Sequence, residues 1–213
     1  MIPPDVHRYG KRAVMLEWNC GEATATNAPL AFAAWVRRNA ELMSRLVDVV
    51  PGARTVVLVS DASHVDAVVS LVGDFTGENE IVAEGRHRDI DVKYDGEDLT
   101  MVADAAACSI EEVITLHSTP VYYVVFCGFS PGFGYLSGLH PRLHLPRRPS
   151  PRTAVPSGSV AIAGEYSAVY PSASPGGWNL LGRTSRSLWN LDRADPALLQ
   201  PGDTVRFVPR RTV

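Results

Sequence analysis

The stretch Cys127–Arg183, CGFSPGFGYLSGLHPRLHLPRRPSPRTAVPSGSVAIAGEYSAVYPSASPGGWNLLGR, constrains this chain more than any other. Pro131, Pro141, Pro146, Pro149, Pro151, Pro156, Pro171 and Pro175 lie in it, half of the protein's sixteen prolines. Gly128, Gly132, Gly134, Gly164, Gly176, Gly177 and Gly182 lie in it too. Proline fixes φ and removes a hydrogen-bond donor, while glycine opens conformations closed to other residues. A stretch this rich in both forms short strands and tight turns, not helices. Its charge is equally uneven. From Val113 to Gly164 there is no Asp or Glu, yet His117, His140, His144, Arg142, Arg147, Arg148 and Arg152 all fall in that window. In a chain of formal net charge −3, cations gathered on one set of loops read as an anion site.

Composition narrows the classes. A length of 213 residues suits one large domain or two small ones, and 46% hydrophobic with 20% charged residues describes an ordinary globular protein. Mild acidity argues against a nucleic-acid partner. Cys20, Cys108 and Cys127 are odd in number and lack metal-ligand spacing, so reduced, buried thiols in the cytoplasm are expected. No apolar leader and no run of membrane-spanning length are present, so neither secretion nor membrane insertion is expected. Lys11 and Lys93 are the only lysines, which removes most candidates for a phosphate-binding or Schiff-base lysine.

In chain order, Ala13–Trp18 reads as a strand and Asn27 as the cap of a long amphipathic helix through Leu30, Trp35, Leu42, Leu46 and Val50. Pro51-Gly52 stops it, TVVLVS (Thr55–Ser60) forms a buried strand, and Asp61 caps a helix carrying Val65, Val68, Val69 and Val72. The polar segment Gly73–Asp89 is the expected domain boundary. Beyond it, Ile90–Tyr94 alternates as a strand, Glu97–Ala107 reads as a helix, and Ser109 with Glu112 forms a capping box for another helix ending near His117. VYYVVF (Val121–Phe126), SVAIA (Ser159–Ala163), Ala168–Tyr170 and TVRFV (Thr204–Val208) are strand candidates, which points to a β-barrel or sandwich in the second half.

Gly128-Phe129-Ser130-Pro131-Gly132 fits the G-x-S-x-G nucleophile elbow, but Pro131 lacks the N–H that the residue after the serine contributes to an oxyanion hole. Ser130 is therefore a turn residue. There is no G-x-x-x-x-G-K-[ST] phosphate loop. His140 and His144 have helical metal spacing, but Pro141 and Pro146 oppose a helix and no carboxylate is near, so no metal is expected. His117, at a helix end, is either a general acid–base or a partner for terminal carbonyls. Arg142, Arg147, Arg148 and Arg152 have the planar fork that binds carboxylate or phosphate in bidentate fashion; the competing reading pairs them with Asp95, Glu97 or Asp98. Gly176-Gly177-Trp178 offers backbone N–H groups to an anion beside an aromatic wall, with core packing as the alternative for Trp178.

The motifs GFSPGFGYL, PRRPSPRTAVPSGSVAIAG, YPSASPGGWNLLGRT and PGDTVRF, with VKYDGEDL and SIEEVITLH, resemble the KipI/PxpB family, whose members are also called allophanate hydrolase subunit 1 or the B-type subunit of 5-oxoprolinase. The resemblance is dense from Val92 to Phe207 and looser before it, where Lys11 replaces a usual acid. Glu165-Tyr166-Ser167 replaces a common Gly-Gln-Thr. It implies a small α+β N-terminal domain (1–85) followed by a cyclophilin-like β-barrel domain (86–213). It also implies a subunit of an ATP-dependent complex that hydrolyses 5-oxo-L-proline to L-glutamate. The implied partners are a homologous cyclophilin-like second subunit of the PxpC/allophanate hydrolase subunit 2 type and a third subunit of the PxpA/LamB type, with ATP bound with or by them. Allophanate hydrolase or urea carboxylase chemistry and KipI-like inhibition of a histidine kinase are the alternatives within the family. On this reading His117, Arg147 and Arg152 are the catalytic candidates. Arg142, Tyr135, Ser157, Ser159, Trp178 and Arg183 are expected to bind the small anionic substrate, and Gly176 and Gly177 the cofactor.

Overall fold

A computed structural model describes residues 4–19, 28–72, 75 and 85–210. Asn27, Cys20 and most of the Gly73–Asp89 segment lie outside the described residues. The chain divides into two compact units, Met1–Glu84 and Gly85–Val213. The protein is mixed α/β.

In the first unit, strands β1 (Asp5–Arg8), β2 (Ala13–Glu17), β3 (Leu46–Pro51) and β4 (Thr55–Ser60) form an antiparallel sheet in the order β1-β2-β4-β3. In β4, Val56, Leu58 and Ser60 are buried and the residues between them are not, the period-2 pattern of a sheet with one covered face. Helices α1 (Ala28–Arg38) and α3 (Val65–Val72) contribute Phe32, Ala33, Val36, Val65, Val68 and Val72 to the same core as Val14, Leu16 and Trp18. The expected helix through Val50 ends much earlier. Asn39 breaks it and caps a single turn, α2 (Ala40–Met43), by accepting from the Leu42 N–H at 3.1 Å. Leu46–Pro51 then runs as strand β3, because its valines are β-branched and favour extended backbone. Leu42, Leu46 and Val50 fit a helical spacing as well, so periodicity alone could not separate the two.

The second unit is built on seven strands: β5 (His87–Val92), β6 (Tyr122–Cys127), β7 (Gly134–Ser137), β9 (Ser159–Ala163), β10 (Tyr166–Val169), β12 (Asn179–Arg183) and β13 (Thr204–Pro209). Their order in the sheet is β12-β9-β10-β7-β6-β13-β5. The sheet curls until its two edges meet. Lys93, just past β5, exchanges both backbone hydrogen bonds with Arg183 at the end of β12, each 2.9 Å. Gly182 permits that approach, since a Cβ there would lie 2.3 Å from the Lys93 carbonyl oxygen. The result is a barrel-like sheet, against which α4 (Leu99–Ala105) and α5 (Ile110–Ser118) pack. Ser109 caps α5 by accepting from the Glu112 N–H at 3.1 Å.

Strand β9 is buried along its whole length, so it has something to cover on each face. Val160 and Ile162 join Ile90, Leu136, Tyr122 and Phe207 in the main core. Ala161 and Ala163 face the other way and, with Ala168, form a small-residue floor beneath Phe133, Tyr170 and Trp178. A separate ribbon of β8 (Arg152–Val155) and β11 (Ser174–Gly176) contributes Val155 to that second cluster. Larger side chains on the floor would displace the rings. The alanines therefore set where the aromatic layer sits.

Candidate functional site

The aromatic layer opens as a small cleft lined by Phe129, Phe133, Tyr135, Arg147, Tyr170, Gly176, Gly177 and Trp178. Each wall has a local cause. Tyr135 leaves the outer side of β7 because its neighbours Gly134 and Leu136 face inward, and its ring stacks on Phe126 at 4.1 Å. Phe133 meets Trp178, Tyr170 and Tyr135 edge-on at 5.6, 5.3 and 5.1 Å, the geometry that ring quadrupoles favour. Phe129 stands at the rim, 63% exposed, with a backbone φ of 70°. A left-handed conformation is uncommon for a bulky residue, and the 128–133 turn holds it through Ser130 N–H to Gly128 O and Phe133 N–H to Ser130 O. The elbow-like motif is thus a tight turn that presents Phe129, not a serine.

Arg147 is the cation of this cleft. Its guanidinium lies 5.9 Å from the Trp178 ring centroid, and no carboxylate among the described residues pairs with it. Burial pushes the Tyr170 phenol up, opposed by the Trp178 backbone N–H donated to its oxygen and by the Arg147 charge. Packing explains Gly176, where a Cβ would fall 2.3 Å from the Tyr170 hydroxyl; the Gly177 carbonyl accepts from the Arg148 N–H at 2.7 Å.

The neighbouring arginines are engaged elsewhere. Asp98, 3% exposed, accepts from the Leu180 N–H at 2.8 Å, from Arg152 at 2.9 Å and from Arg148. Arg152 also reaches Glu97 at 3.2 Å. Burial pushes the Asp98 carboxyl up, but the hydrogen bonds from Arg152 and Leu180 and the two guanidinium charges outweigh it and hold the group below the usual carboxylate range. Arg142 bonds the Ala106 and Ala107 carbonyls at 3.1 and 3.2 Å at the end of α4 and pairs with Glu112. Arg152 and Arg142 are therefore both engaged with acids and carbonyls of their own chain.

His117 takes no part in the aromatic cleft. It is fully buried, stacked on Phe207 at 4.5 Å, with Nδ1 2.8 Å from the Tyr94 hydroxyl and Nε2 2.9 Å from Ser167 Oγ. Ser167 uses its one proton on the Ala161 carbonyl at 3.3 Å, so it accepts from Nε2–H, and Nδ1 accepts from Tyr94. Burial lowers the imidazole pKa to about 3, so the ring is neutral at pH 7. The ring has no exposed surface. His140 and His144 are structural as well: His140 Nδ1 accepts from the Arg142 N–H, and His144 Nε2 donates to the Leu139 carbonyl at 2.9 Å.

Ser157, Ser159 and Arg183 line a different, open cleft together with Asp95, Gly96, Glu97, Pro156, Leu180 and Gly182. Apart from His117, Arg142 and Arg152, the expected substrate, catalytic and cofactor positions thus divide between two clefts. Phe129, Phe133 and Tyr170 were missed in sequence. The signal for the two phenylalanines was the aromatic repeat inside GFSPGFGY, where glycine and proline leave the rings free to line a surface. Among the described residues no group of three or more His, Cys, Asp or Glu side chains is arranged to hold a metal, and no helix is long and apolar enough to cross a membrane.

Comparison with known proteins gives a consistent set of relatives. The family described as carboxyltransferase domain, subdomain C and D, matches residues 4–199. The chain is 42% identical over 175 residues to the B-type subunit of 5-oxoprolinase from Escherichia coli O157:H7, covering 79% of this chain and 80% of that protein. It is 49% identical over 128 residues to the Haemophilus influenzae protein of the same name, covering 59% of this chain and 60% of the relative. Among solved structures, TTHA0988 superposes with a TM-score of 0.82 at 38% identity over 95% of this chain, which spans only 40% of that longer polypeptide. A conserved uncharacterized Pyrococcus horikoshii protein matches over 97% of both chains at 31% identity and a TM-score of 0.57. Kluyveromyces lactis urea carboxylase shares the fold, at 20% identity and a TM-score of 0.76.

Proposed function

The chain belongs to the carboxyltransferase subdomain C and D family, and from that premise we propose that it is a subunit of an ATP-dependent complex hydrolysing 5-oxo-L-proline to L-glutamate. The observation that carries the reading is the Arg147–Trp178 cleft, found in a chain 42% identical to a B-type 5-oxoprolinase subunit. A cyclic amide acid offers a flat ring and one carboxylate. The cleft offers aromatic faces for the first and an uncommitted guanidinium for the second. Tyr135 and Trp178 orient the ring, and Arg147 holds the carboxylate.

Opening a lactam requires an activated carbonyl oxygen, a general base and water. The residues lining this cleft include neither carboxylate nor histidine, and its cation is the single Arg147. ATP chemistry is accordingly assigned to partner subunits: a homologous cyclophilin-like second subunit and a third subunit. On this reading the second unit is itself a cyclophilin-like barrel and the complex works in the cytoplasm. Stabilisation of anionic species by fixed donors is this chain's contribution. The test is reconstitution with the homologous subunits and an assay of ATP-dependent glutamate release from 5-oxoproline. Activity that requires this chain supports the proposal, and an assembled but inactive complex overturns it.

A further inference from the structure

Two phenols line the Arg147 cleft, and the fold holds them differently. Tyr135 is partly exposed on β7, whereas Tyr170, just past β10, is only 1% exposed. Its backbone is pinned on both sides: the Tyr170 N–H donates to the Ser159 carbonyl at 2.9 Å, and its carbonyl accepts from the Gly158 N–H at 2.8 Å. Its ring meets Phe133 edge-on at 5.3 Å. A side chain fixed at backbone and ring delivers its hydroxyl to one place. That place is marked by Gly176, also a lining residue of the cleft, where a Cβ would fall 2.3 Å from the hydroxyl.

A hydroxyl has one proton to give and two lone pairs that accept. The Tyr170 oxygen takes the Trp178 N–H, and no carbonyl or carboxylate among the described residues accepts the proton it has to give. Buried tyrosine hydroxyls ordinarily find a partner, and the space this one lines is the cleft. The surroundings favour donation. Arg152 stands opposite Gly176 in the β8–β11 ribbon, with Nη1 buried and unpartnered among the described residues. The charges of Arg147 and Arg152 both act on the phenol, but burial outweighs them and keeps it protonated at neutral pH. Tyr170 is thus a fixed, neutral donor with cationic groups nearby.

We propose that the Tyr170 hydroxyl donates a hydrogen bond to the lactam carbonyl oxygen, and so distinguishes a cyclic amide acid from a plain ring bearing a carboxylate. This rests on the reading that the Arg147 cleft takes 5-oxoproline. In that ring the carbon bearing the carboxylate and the carbonyl carbon both adjoin the nitrogen. The two oxygen-bearing groups therefore share one edge, and the two methylenes form the other. Arg147 and Tyr170 meet the polar edge, and Phe133 and Trp178 the methylenes. A site built to hydrogen-bond a substrate group rejects the analogue lacking it, because its own polar group is then left unpaired. Arg147 sets affinity for any carboxylate that fits; Tyr170 sets the choice among them.

The experiment is calorimetric titration of the full chain with 5-oxo-L-proline and with cyclopentanecarboxylate, which keeps the ring and the carboxylate but lacks the carbonyl. Saturable binding of 5-oxoproline is expected, with cyclopentanecarboxylate about tenfold weaker. Tyr170→Phe keeps the ring and its edge contacts; it is expected to weaken 5-oxoproline about five- to tenfold and leave cyclopentanecarboxylate unchanged, so the preference disappears. Arg147→Ala should weaken both compounds alike. Comparing the two ligands within one variant separates a lost hydrogen bond from a disturbed fold, which would weaken both. The proposal is overturned if Tyr170→Phe retains the preference, if it weakens both compounds equally, or if 5-oxoproline shows no saturable binding up to about 50 mM. The hydrolase reading fails separately, when the reconstituted wild-type complex releases no glutamate. An active complex whose Tyr170→Phe variant keeps the preference for 5-oxoproline sinks this assignment alone.

Discussion

Arg147 and Arg152 belong to the same proline-studded loop but occupy opposite surroundings. Arg152 bridges the buried Asp98 and the exposed Glu97, within a network that also holds Arg148 and the Leu180 N–H. Arg147 points over Trp178 with no acid beside it among the described residues. One region spends its charges on holding loop to sheet; the other leaves a charge available to a ligand. Residue type does not separate these roles. What separates them is whether a carboxylate is within reach, and that depends on where the 95–98 segment folds back.

The sharpest way to break the contrast is Asp98→Ala. It strands the Arg148 guanidinium and the Leu180 N–H and leaves Arg152 with the exposed Glu97 alone, and loss of about 3–5 kcal/mol in denaturant titration is expected. A loss under about 1 kcal/mol would mean the network is not structural. The next effect concerns the barrel interior. His117 is neutral when folded with a pKa of about 3, while the unfolded chain titrates near the ordinary 6.5. Between those values the unfolded state binds the extra proton, so stability falls as pH drops through that window, by up to about 1.4 kcal/mol per unit. Comparing wild type with His117→Gln between pH 7 and 4 checks this: the substitution should flatten the slope, and an unchanged slope would place its origin elsewhere.

Arg147→Ala is expected to lower kcat/KM of the reconstituted complex about 10- to 100-fold, roughly 1.4–2.7 kcal/mol, without changing the melting temperature. Arg152→Ala should instead reduce stability. If the two variants exchange these phenotypes, the distinction drawn between them is wrong. The smallest effect belongs to Arg142→Ala, an exposed pair plus two helix-end carbonyls, at about 1 kcal/mol or less with activity intact.

Much of the scaffold was legible. Strand β4 was readable because its valines and Leu58 form an uninterrupted β-prone run, and the Ser109 cap because its side chain satisfies a local N–H. The Leu46–Pro51 strand was not, because its apolar spacing also suits a helix and pairing with β4 decided it. The candidate site was legible as a set of residue types but not as a partition. Ser157, Ser159 and Arg183 stand among the same glycines and prolines as Tyr135 and Trp178, yet they line another cleft.

The sequence by itself determined that Cys127–Arg183 would be irregular and cationic, because proline, glycine and the scarcity of acids act locally. Only the tertiary structure decided which cations stay free. Asp98 lies far from Arg148 and Arg152 in the chain, and closure of the barrel at Lys93 and Arg183 brings the 95–98 segment against β12. Ion pairing falls steeply with distance, so a charge's role is fixed by neighbours that only the fold supplies.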